Sequence, residues 1–94
     1  MAAMIINHQV ADFDTWLPFY EAHGPVRSAA GVTTSIVWQA QDDPNNVYIL
    51  MKGASVEAFT AFTQSEELKA RMQAAGVVGP PTFAILGDGR KYDN

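Results

Sequence analysis

The segment DFDTWLPFYEAHGPVR, residues 12–27, carries most of the features that decide the fold of this chain. Its apolar residues recur at the three- and four-residue spacing that places side chains on one face of a helix. The side chains on that face are Phe13, Trp16, Leu17 and Tyr20. The segment therefore predicts an amphipathic helix that packs on a sheet, with its histidine and arginine at the far end.

Two aspartates can begin this helix, because an aspartate side chain accepts backbone N–H bonds in the first turn. Asp14 is the cheaper cap, since Pro18 then lies near the first turn, whereas Asp12 as the cap places that proline inside the helix. A Gly-Pro pair at 24–25 interrupts the pattern. We expect the helix to bend or restart there and to end at Gly31.

The rest of the chain predicts four strands and a second helical region. Alternating or continuous apolar residues mark strands at 4–10, 32–41, 47–53 and 82–86. The polar run 42–46 predicts a hairpin turn, and hence an antiparallel pair, between the second and third strands. Ser55 begins the second helix, which can break at Ser65 and stops at Gly76. Prolines 80–81 require an extended chain before the last strand.

The order β-α-β-β-α-β predicts an α+β fold of the ferredoxin-like class, with a four-stranded antiparallel sheet and both helices on one face. We expect one domain, spanning 1–94. The uncovered sheet face would be apolar in either strand register, with Ile5, Val37 and either Tyr48/Leu50 or Ile49/Met51. Such a face is too apolar to stay in water. We therefore expect two copies to pair through it as a homodimer, a dimeric α/β barrel.

Composition and charge exclude several functional classes. The net charge is −4, and the six lysines and arginines are scattered, with Arg71 among those expected to face water. No basic stripe is therefore present to bind nucleic acid. No apolar run approaches the roughly 20 residues that cross a bilayer, so no membrane partner is expected. The absence of cysteine excludes disulfides and thiolate nucleophiles, and it fits a cytoplasmic location.

Nearly the whole chain resembles one protein family. The stretch VADFDTWLPFYEAHGPVRSAAG, residues 10–31, is similar to the first helix region of small dimeric α/β-barrel proteins related to antibiotic biosynthesis monooxygenases. The features that match the family are, in chain order, Val10, Asp12, Asp14, Trp16, Glu21, His23 and Arg27. The stretch FTQSEELKARMQAAGVVGPPTF, residues 62–83, resembles the second helix and the closing glycine-proline run of the same family.

This resemblance implies a dimer through the sheet faces and a pocket between the helices and the sheet. It also implies a cofactor-independent monooxygenase or cyclase, which holds an ionised phenol in an apolar pocket and lets it react directly with oxygen. The catalytic candidates are His23, Arg27 and His8. The candidates for substrate binding are Trp16, Tyr20, Trp38, Phe59 and Phe62. No cofactor is expected.

Each candidate also has a purely structural interpretation. His23 can cap the end of a helix, His8 can be a hydrogen-bonded core residue, and Arg27 can pair with a carboxylate of its own helix or of a second subunit. No spacing of the two histidines supports a metal site or a haem ligand. Two alternatives to an enzyme stay open: a non-catalytic homodimeric module that binds a small apolar or aromatic ligand, and a chain whose helix–sheet space is filled.

Overall fold

The computed structural model describes residues 1–94 and contains one four-stranded antiparallel sheet with its helices on a single face. The elements in chain order are β1 (Ala2–Val10), α1 (Phe13–Ala22), α2 (Gly24–Ala29), β2 (Val32–Ala40), β3 (Asp43–Gly53), α3 (Val56–Thr63), α4 (Glu66–Ala74) and β4 (Val77–Leu86). The strands lie in the order β2-β3-β1-β4. This is the ferredoxin-like arrangement that the sequence predicts, with each helical region divided in two. None of the helices combines the length and the apolar character needed to cross a membrane.

Asp12, and not Asp14, begins the first helix. The carboxylate of Asp12 accepts hydrogen bonds from the backbone N–H of Thr15 at 3.0 Å and from the Thr15 hydroxyl at 2.8 Å. Pro18 consequently lies inside α1, where it has no N–H to donate to the carbonyl of Asp14. The prediction of Asp14 as the cap is wrong, because two hydrogen bonds to one carboxylate outweigh the single intrahelical bond that the proline removes.

The predicted turn between β2 and β3 is mostly strand. Only Gln41 and Asp42 join the two strands. The pairing register shifts at the end of β2, so residues 44–46 form a bulge in β3. In that bulge the Oδ1 of Asn45 accepts a 2.9 Å hydrogen bond from the backbone N–H of Phe13. The polar run therefore holds the start of α1 in place, a role that its turn-forming composition does not reveal.

The second helical region follows the prediction closely. The hydroxyl of Ser55 accepts the N–H of Ala58 at 3.0 Å, and the hydroxyl of Ser65 accepts the N–H of Leu68 at 3.3 Å. The break at Ser65 therefore separates α3 from α4. β4 begins at Val77, earlier than predicted, because an edge strand tolerates prolines beside a bulge.

The strand register decides which side chains face the helices. Ile49 pairs with Ile6 on one side and with Val37 on the other, so all three face the helix layer. The most deeply buried residues of that face are at most 2% exposed: Met4, Ile6, Val10, Val47, Ile49 and Met51. The prediction that Val37 lies on the uncovered face is wrong, because the register places it opposite a core residue.

The opposite side of the sheet, which we call the open face, carries large apolar side chains in contact with solvent. Ile5, Ile36, Trp38 and Tyr48 are between 40% and 51% exposed. Leu50 lies among them, because it pairs with Ile5 on β1 and with Ile36 on β2. Monomers seldom leave such a contiguous apolar surface in water. The open face therefore keeps the apolar character that the sequence predicts, with Ile36 and Trp38 in the place of Val37.

Candidate functional site

A cavity of about 460 Å³ lies between the sheet and the helices. Side chains of β1 and β3 form its floor, and all four helices contribute to its walls. Of its 21 lining residues, 15 are hydrophobic. Its volume lies within the range of roughly 300–1,000 Å³ that pockets for small organic ligands occupy. The fully packed alternative therefore does not describe this protein.

His8 is the most deeply buried polar residue of this cavity. Its side chain projects from β1 into the helix–sheet space and is only 4% exposed. Neither ring nitrogen has a hydrogen-bond partner in the protein. Burial lowers the pKa of His8 from 6.5 to about 4, because the imidazolium loses its hydration. At neutral pH the ring is therefore uncharged, with one nitrogen able to donate a hydrogen bond and the other able to accept one.

A series of aromatic rings connects His8 with the first helix. The Trp16 indole and the His8 ring form a T-shaped contact, with a centroid distance of 5.5 Å and an interplanar angle of 85°. Trp16 in turn stacks on Tyr20, with centroids 5.0 Å apart and planes 29° from parallel. The hydroxyl of Tyr20 is buried and, like the His8 nitrogens, has no hydrogen-bond partner in the protein. Three unpaired polar atoms are thus buried in side chains that line the cavity.

Arg27 extends this series to the edge of the cavity. Its guanidinium carbon lies 3.7 Å from the centroid of the Tyr20 ring, a cation–π contact. Its Nη1 donates a 2.6 Å hydrogen bond to the backbone carbonyl of Tyr20. The local sequence explains this geometry, because the chain breaks at His23 and α2 then carries Arg27 back against the last turn of α1.

Four residues with titratable or charged side chains define what we call the cavity mouth: the half-buried His23, Arg27 and Arg71 and the exposed Glu67. Arg71 donates from Nε and Nη2 to one oxygen of Glu67, at 3.0 and 2.7 Å. The pKa of His23 is lowered, first by loss of hydration and then by the positive charges of Arg71 and Arg27, while Glu67 acts in the opposite direction. The mouth is therefore a positively charged rim in which His23 is mostly neutral at pH 7.

Six of the eight predicted site residues line the cavity: His8, Trp16, Tyr20, His23, Arg27 and Phe62. Trp38 does not, because its partner Tyr48 and the whole row around it point away from the helices onto the open face. Phe59 does not either, because its ring fills the space above Gly53, 2.8 Å from where a Cβ would stand there. The predicted places of Trp38 and Phe59 in the pocket are therefore wrong. The chemical roles of the other six stay predictions.

Sequence reasoning missed the contribution of α4. Arg71 lines the mouth rather than facing water, and Glu67 lies beside it. A signal was available, because Arg71 follows Leu68 by three residues and precedes Ala75 by four, which places it on the inner helical face. The four-residue spacing from Glu67 also predicts the ion pair.

The residue types in the cavity indicate which kinds of ligand it can bind. No group of three or more histidine, cysteine, aspartate or glutamate side chains lies close enough to hold a metal ion. The interior instead offers neutral hydrogen-bonding groups, His8 and the Tyr20 hydroxyl, and the mouth offers positive charge. Such an arrangement can bind an aromatic ligand, form a hydrogen bond between its hydroxyl group and His8 or Tyr20, and stabilise negative charge on it.

Comparison by sequence and comparison by structure give different results for this protein. No protein-family model and no curated protein matches the sequence. The fold, in contrast, matches many solved structures over nearly the whole chain. The structural comparison is therefore the informative one.

A Bordetella bronchiseptica protein assigned as an antibiotic biosynthesis monooxygenase matches with a TM-score of 0.78 and 13% identity, over 95% of this chain and 97% of that chain. SnoaB, a cofactor-independent oxygenase from Streptomyces nogalater, matches with a TM-score of 0.76 and 8% identity, over 99% and 97%. A dimeric ferredoxin-like protein from an uncultured marine organism matches with a TM-score of 0.63 and 10% identity, over 100% of both chains. At these identities the likeness establishes the fold, and the chain has the ferredoxin-like fold of the antibiotic biosynthesis monooxygenases.

Proposed function

We propose that this protein is a cofactor-independent oxygenase that acts on a small phenolic substrate bound in the helix–sheet cavity. The observation that carries the proposal is the set of unpaired buried polar atoms, the two ring nitrogens of His8 and the hydroxyl of Tyr20, in side chains that line a largely apolar cavity. A buried polar group without a partner costs about 1–3 kcal/mol. A ligand whose hydroxyl or carbonyl group reached one of these atoms would remove the cost at that atom.

The proposed reaction uses oxygen as the only oxidant. A substrate methylene that is acidified by a neighbouring phenolic ring loses a proton, and the carbanion adds O₂ at that carbon to give a peroxide, which takes up the proton. The peroxide O–O bond then breaks with loss of the remaining hydrogen on that carbon. The products are a ketone and water, so that CH₂ and O₂ become C=O and H₂O.

The cavity contributes to this reaction by binding and by electrostatics. The neutral His8 ring accepts a hydrogen bond from the substrate hydroxyl, and negative charge that develops beside it raises its pKa, so that it holds the proton more strongly as the anion forms. The apolar walls exclude water, which strengthens the attraction between the anion and the cationic mouth. His23, whose pKa is lowered, is the candidate for exchanging the proton with solvent at the mouth.

The structural comparisons support this proposal without naming a substrate. SnoaB, which shares the fold over almost the full length, is described as a cofactor-independent oxygenase. The low identity means that the reaction is carried to this chain only as a proposal. A cytoplasmic location, expected from the cysteine-free sequence, likewise stays a prediction.

The proposal includes a homodimer that forms through the open face. That face is apolar and exposed over Ile5, Ile36, Trp38 and Tyr48, and a second copy would cover it. One structural neighbour is described as a dimeric ferredoxin-like protein. Because the cavity lies on the other side of the sheet, each subunit would keep its own cavity.

Oxygen uptake tests the proposed reaction. Purified protein is mixed with a panel of anthrones and hydroquinones in an oxygen-electrode cell, and ketone or quinone formation is followed by absorbance. We expect uptake above the buffer rate, a loss of about 100-fold in His8→Leu and a smaller loss in His23→Ala. Arg90→Gln, in the exposed tail, is the matched control and retains the full rate. Uptake at the buffer rate across the whole panel would overturn the proposal.

One observation favours a second candidate, a non-catalytic module that binds the same kind of ligand. The pKa of His8, about 4, makes the free ring a weak base. Native mass spectrometry of the protein as purified from cells distinguishes the two. A bound aromatic compound that survives unchanged in air, together with no oxygen uptake, supports the binding module.

A further inference from the structure

Arg27 is a half-buried cation at an apolar cavity with no carboxylate partner. The four ion pairs of the chain do not include it. Its single hydrogen bond to the protein goes from Nη1 to the carbonyl of Tyr20. A guanidinium has five N–H donors in a planar fork, so most of the donors of Arg27 remain for a ligand.

The other charges of the mouth do not neutralise Arg27. The one carboxylate that lines the cavity, Glu67, accepts two hydrogen bonds from Arg71 and is thereby paired. His23 is held mostly neutral at pH 7 by loss of hydration and by the two arginines. Two arginines and one glutamate leave a single positive charge at the mouth of the cavity, although the chain as a whole carries a net charge of −4.

The position of Arg27 fits the binding of an anion. The contact with the Tyr20 ring and the hydrogen bond to the Tyr20 carbonyl fix the orientation of the guanidinium at the edge of the cavity. A fixed, planar guanidinium beside apolar walls binds a carboxylate with two parallel hydrogen bonds more strongly than a mobile surface side chain does. The largely aliphatic floor and the aromatic side chains of the helix walls, in turn, suit a ring attached to that carboxylate.

We infer that the ligand of this cavity is an aromatic carboxylate, with its carboxylate on Arg27 and its ring inside the cavity toward Trp16 and His8. This inference deepens the proposed function and rests on it for the reaction at the ring. The binding of the carboxylate itself depends only on the cavity and on Arg27. The reacting carbon would then lie at the end of the ring system away from the carboxylate, where the two ring nitrogens of His8 are unpaired.

Calorimetric titration of the full chain with matched acids and esters tests this inference. The probes are 1-naphthoate and 9-anthracenecarboxylate, each compared with its methyl ester at pH 7.5. We expect the acids to bind about tenfold more tightly than the esters, because a charge-assisted bidentate contact adds to the shared burial of the ring. Raising the salt concentration should weaken binding of the acids and leave binding of the esters unchanged.

Variants distinguish a specific contact between Arg27 and the carboxylate from an effect of the overall charge of the protein. Arg27→Gln should lower the affinity for the acids about tenfold or more and change that for the esters less than twofold, and Arg27→Lys should recover part of the loss. Arg90→Gln makes the same charge change in the exposed tail and should leave both affinities unchanged. Thermal unfolding of each variant verifies that it is folded. Equal affinities for acid and ester, equal losses for both in Arg27→Gln, or no binding of either acid would overturn the inference.

Two outcomes distinguish this inference from the proposed oxygenase activity. If the acids bind through Arg27 but no panel compound consumes oxygen, the carboxylate inference stands and the oxygenase proposal fails. If oxygen is consumed and neutral phenols react as fast as their carboxylated counterparts, in the wild type and in Arg27→Gln alike, the oxygenase proposal stands and the carboxylate inference fails.

Discussion

The guanidinium carbon of Arg27 lies 3.7 Å from the centre of the Tyr20 ring, and its Nη1 donates a 2.6 Å hydrogen bond to the Tyr20 carbonyl. These two residues belong to different helices, α2 and α1, which are separated by the break at His23. Because the chain turns at this break, the guanidinium of Arg27 covers the Tyr20 ring, which is the outermost ring of the series that begins at His8. The inner end of that series is the neutral imidazole of His8.

Removing the Tyr20 hydroxyl should improve stability and weaken ligand binding. In Tyr20→Phe the buried, unpaired hydroxyl is lost, while the stack on Trp16 and the cation–π contact with Arg27 are retained. We expect the free energy of unfolding to stay equal or to rise by up to about 1 kcal/mol. Affinity for phenolic ligands should fall about tenfold, since a hydrogen bond to the ligand is removed. Urea unfolding and calorimetric titration measure the two quantities.

The contrasting substitution is Tyr20→Leu, which also removes the ring. We expect a loss of about 2–3 kcal/mol in unfolding free energy, because both the stacking and the cation–π contact disappear with the buried aromatic surface. A Tyr20→Phe protein that is clearly less stable than the wild type would mean that the hydroxyl has a partner in solution and is not free for a ligand.

Acid should destabilise the protein through His8. The pKa of its side chain is about 4 in the folded chain and 6.5 when unfolded, so the unfolded state binds the proton first as the pH falls. The stability that depends on the neutral ring is complete above pH 6.5 and is lost progressively between about pH 6.5 and 4. This difference in the pKa of His8 corresponds to a loss of about 3 kcal/mol in the free energy of unfolding between pH 6.5 and 4.

Comparison with His8→Leu isolates this contribution from the carboxylates that titrate in the same window. Unfolding free energies of both proteins at pH 7.5 and 4.5, at one fixed protein concentration, provide the measurement. The wild type should lose about 2–3 kcal/mol more than the variant on acidification. Equal losses in the two proteins would show that His8 is not buried as a neutral ring.

A charge placed on the open face should separate the proposed dimer. Trp38 is 51% exposed and does not contribute to the helix-side core, so Trp38→Lys should leave the monomer folded. Pairing of two such faces would bury two unpaired ammonium groups, which is strongly unfavourable. We expect sedimentation equilibrium to give a dimer mass for the wild type and a monomer mass for the variant.

A matched control exists on the helix side of the molecule. Val56 is 39% exposed at the start of α3, and Val56→Lys should remain a dimer. Circular dichroism checks that both variants keep their secondary structure. A wild-type protein that sediments as a monomer at micromolar concentration would refute the proposed dimer.

Local patterns in the sequence predicted most of the fold. The periodicity of α1, the serine caps at Ser55 and Ser65, and the alternation in β1 each depend on near neighbours, and each was confirmed. Two failures, the choice of Asp14 as a cap and the outward placement of Arg71, were local misjudgements, whereas the others depend on distant partners. The capping role of Asn45 toward α1 is a contact across 32 residues, which no local pattern contains.

The residues of the candidate site were likewise predictable only in part. Helical spacing identified two of the three residues of α1 that line the cavity, Trp16 and Tyr20, and missed Phe19. His23 and Arg27, at the break after α1, also line it. The place of Trp38 depended on whether odd or even residues of β2 face the helices. The register shift between Val32 and Thr34 reverses the alternation, so Val32 is buried while Trp38 faces outward, and the composition of the strand does not reveal this shift. Arg71 was missed because its charge suggested solvent, whereas its helical position and its pairing with Glu67 allow it to line the mouth.

The close approach of Phe59 to Gly53 gives a last prediction, which concerns the layer beneath the cavity. A Cβ on Gly53 would stand 2.8 Å from the Cζ of Phe59 and 3.0 Å from the carbonyl oxygen of Gly31. The phenyl ring is 2% exposed and the carbonyl belongs to the backbone, so neither can move freely. Gly53→Ala should therefore cost about 1–3 kcal/mol in unfolding free energy, as overpacked cores do.

The reference substitution is Gly87→Ala, where an added Cβ meets nothing within 4 Å, and its effect should stay within about 0.5 kcal/mol. The double variant Gly53→Ala with Phe59→Leu tests the mechanism. If the clash with the ring causes the loss, the smaller side chain relieves it, and the double variant is more stable than the sum of the two single losses predicts. Strict additivity, measured by urea unfolding of all four proteins, would instead attribute the loss to the backbone contact with Gly31.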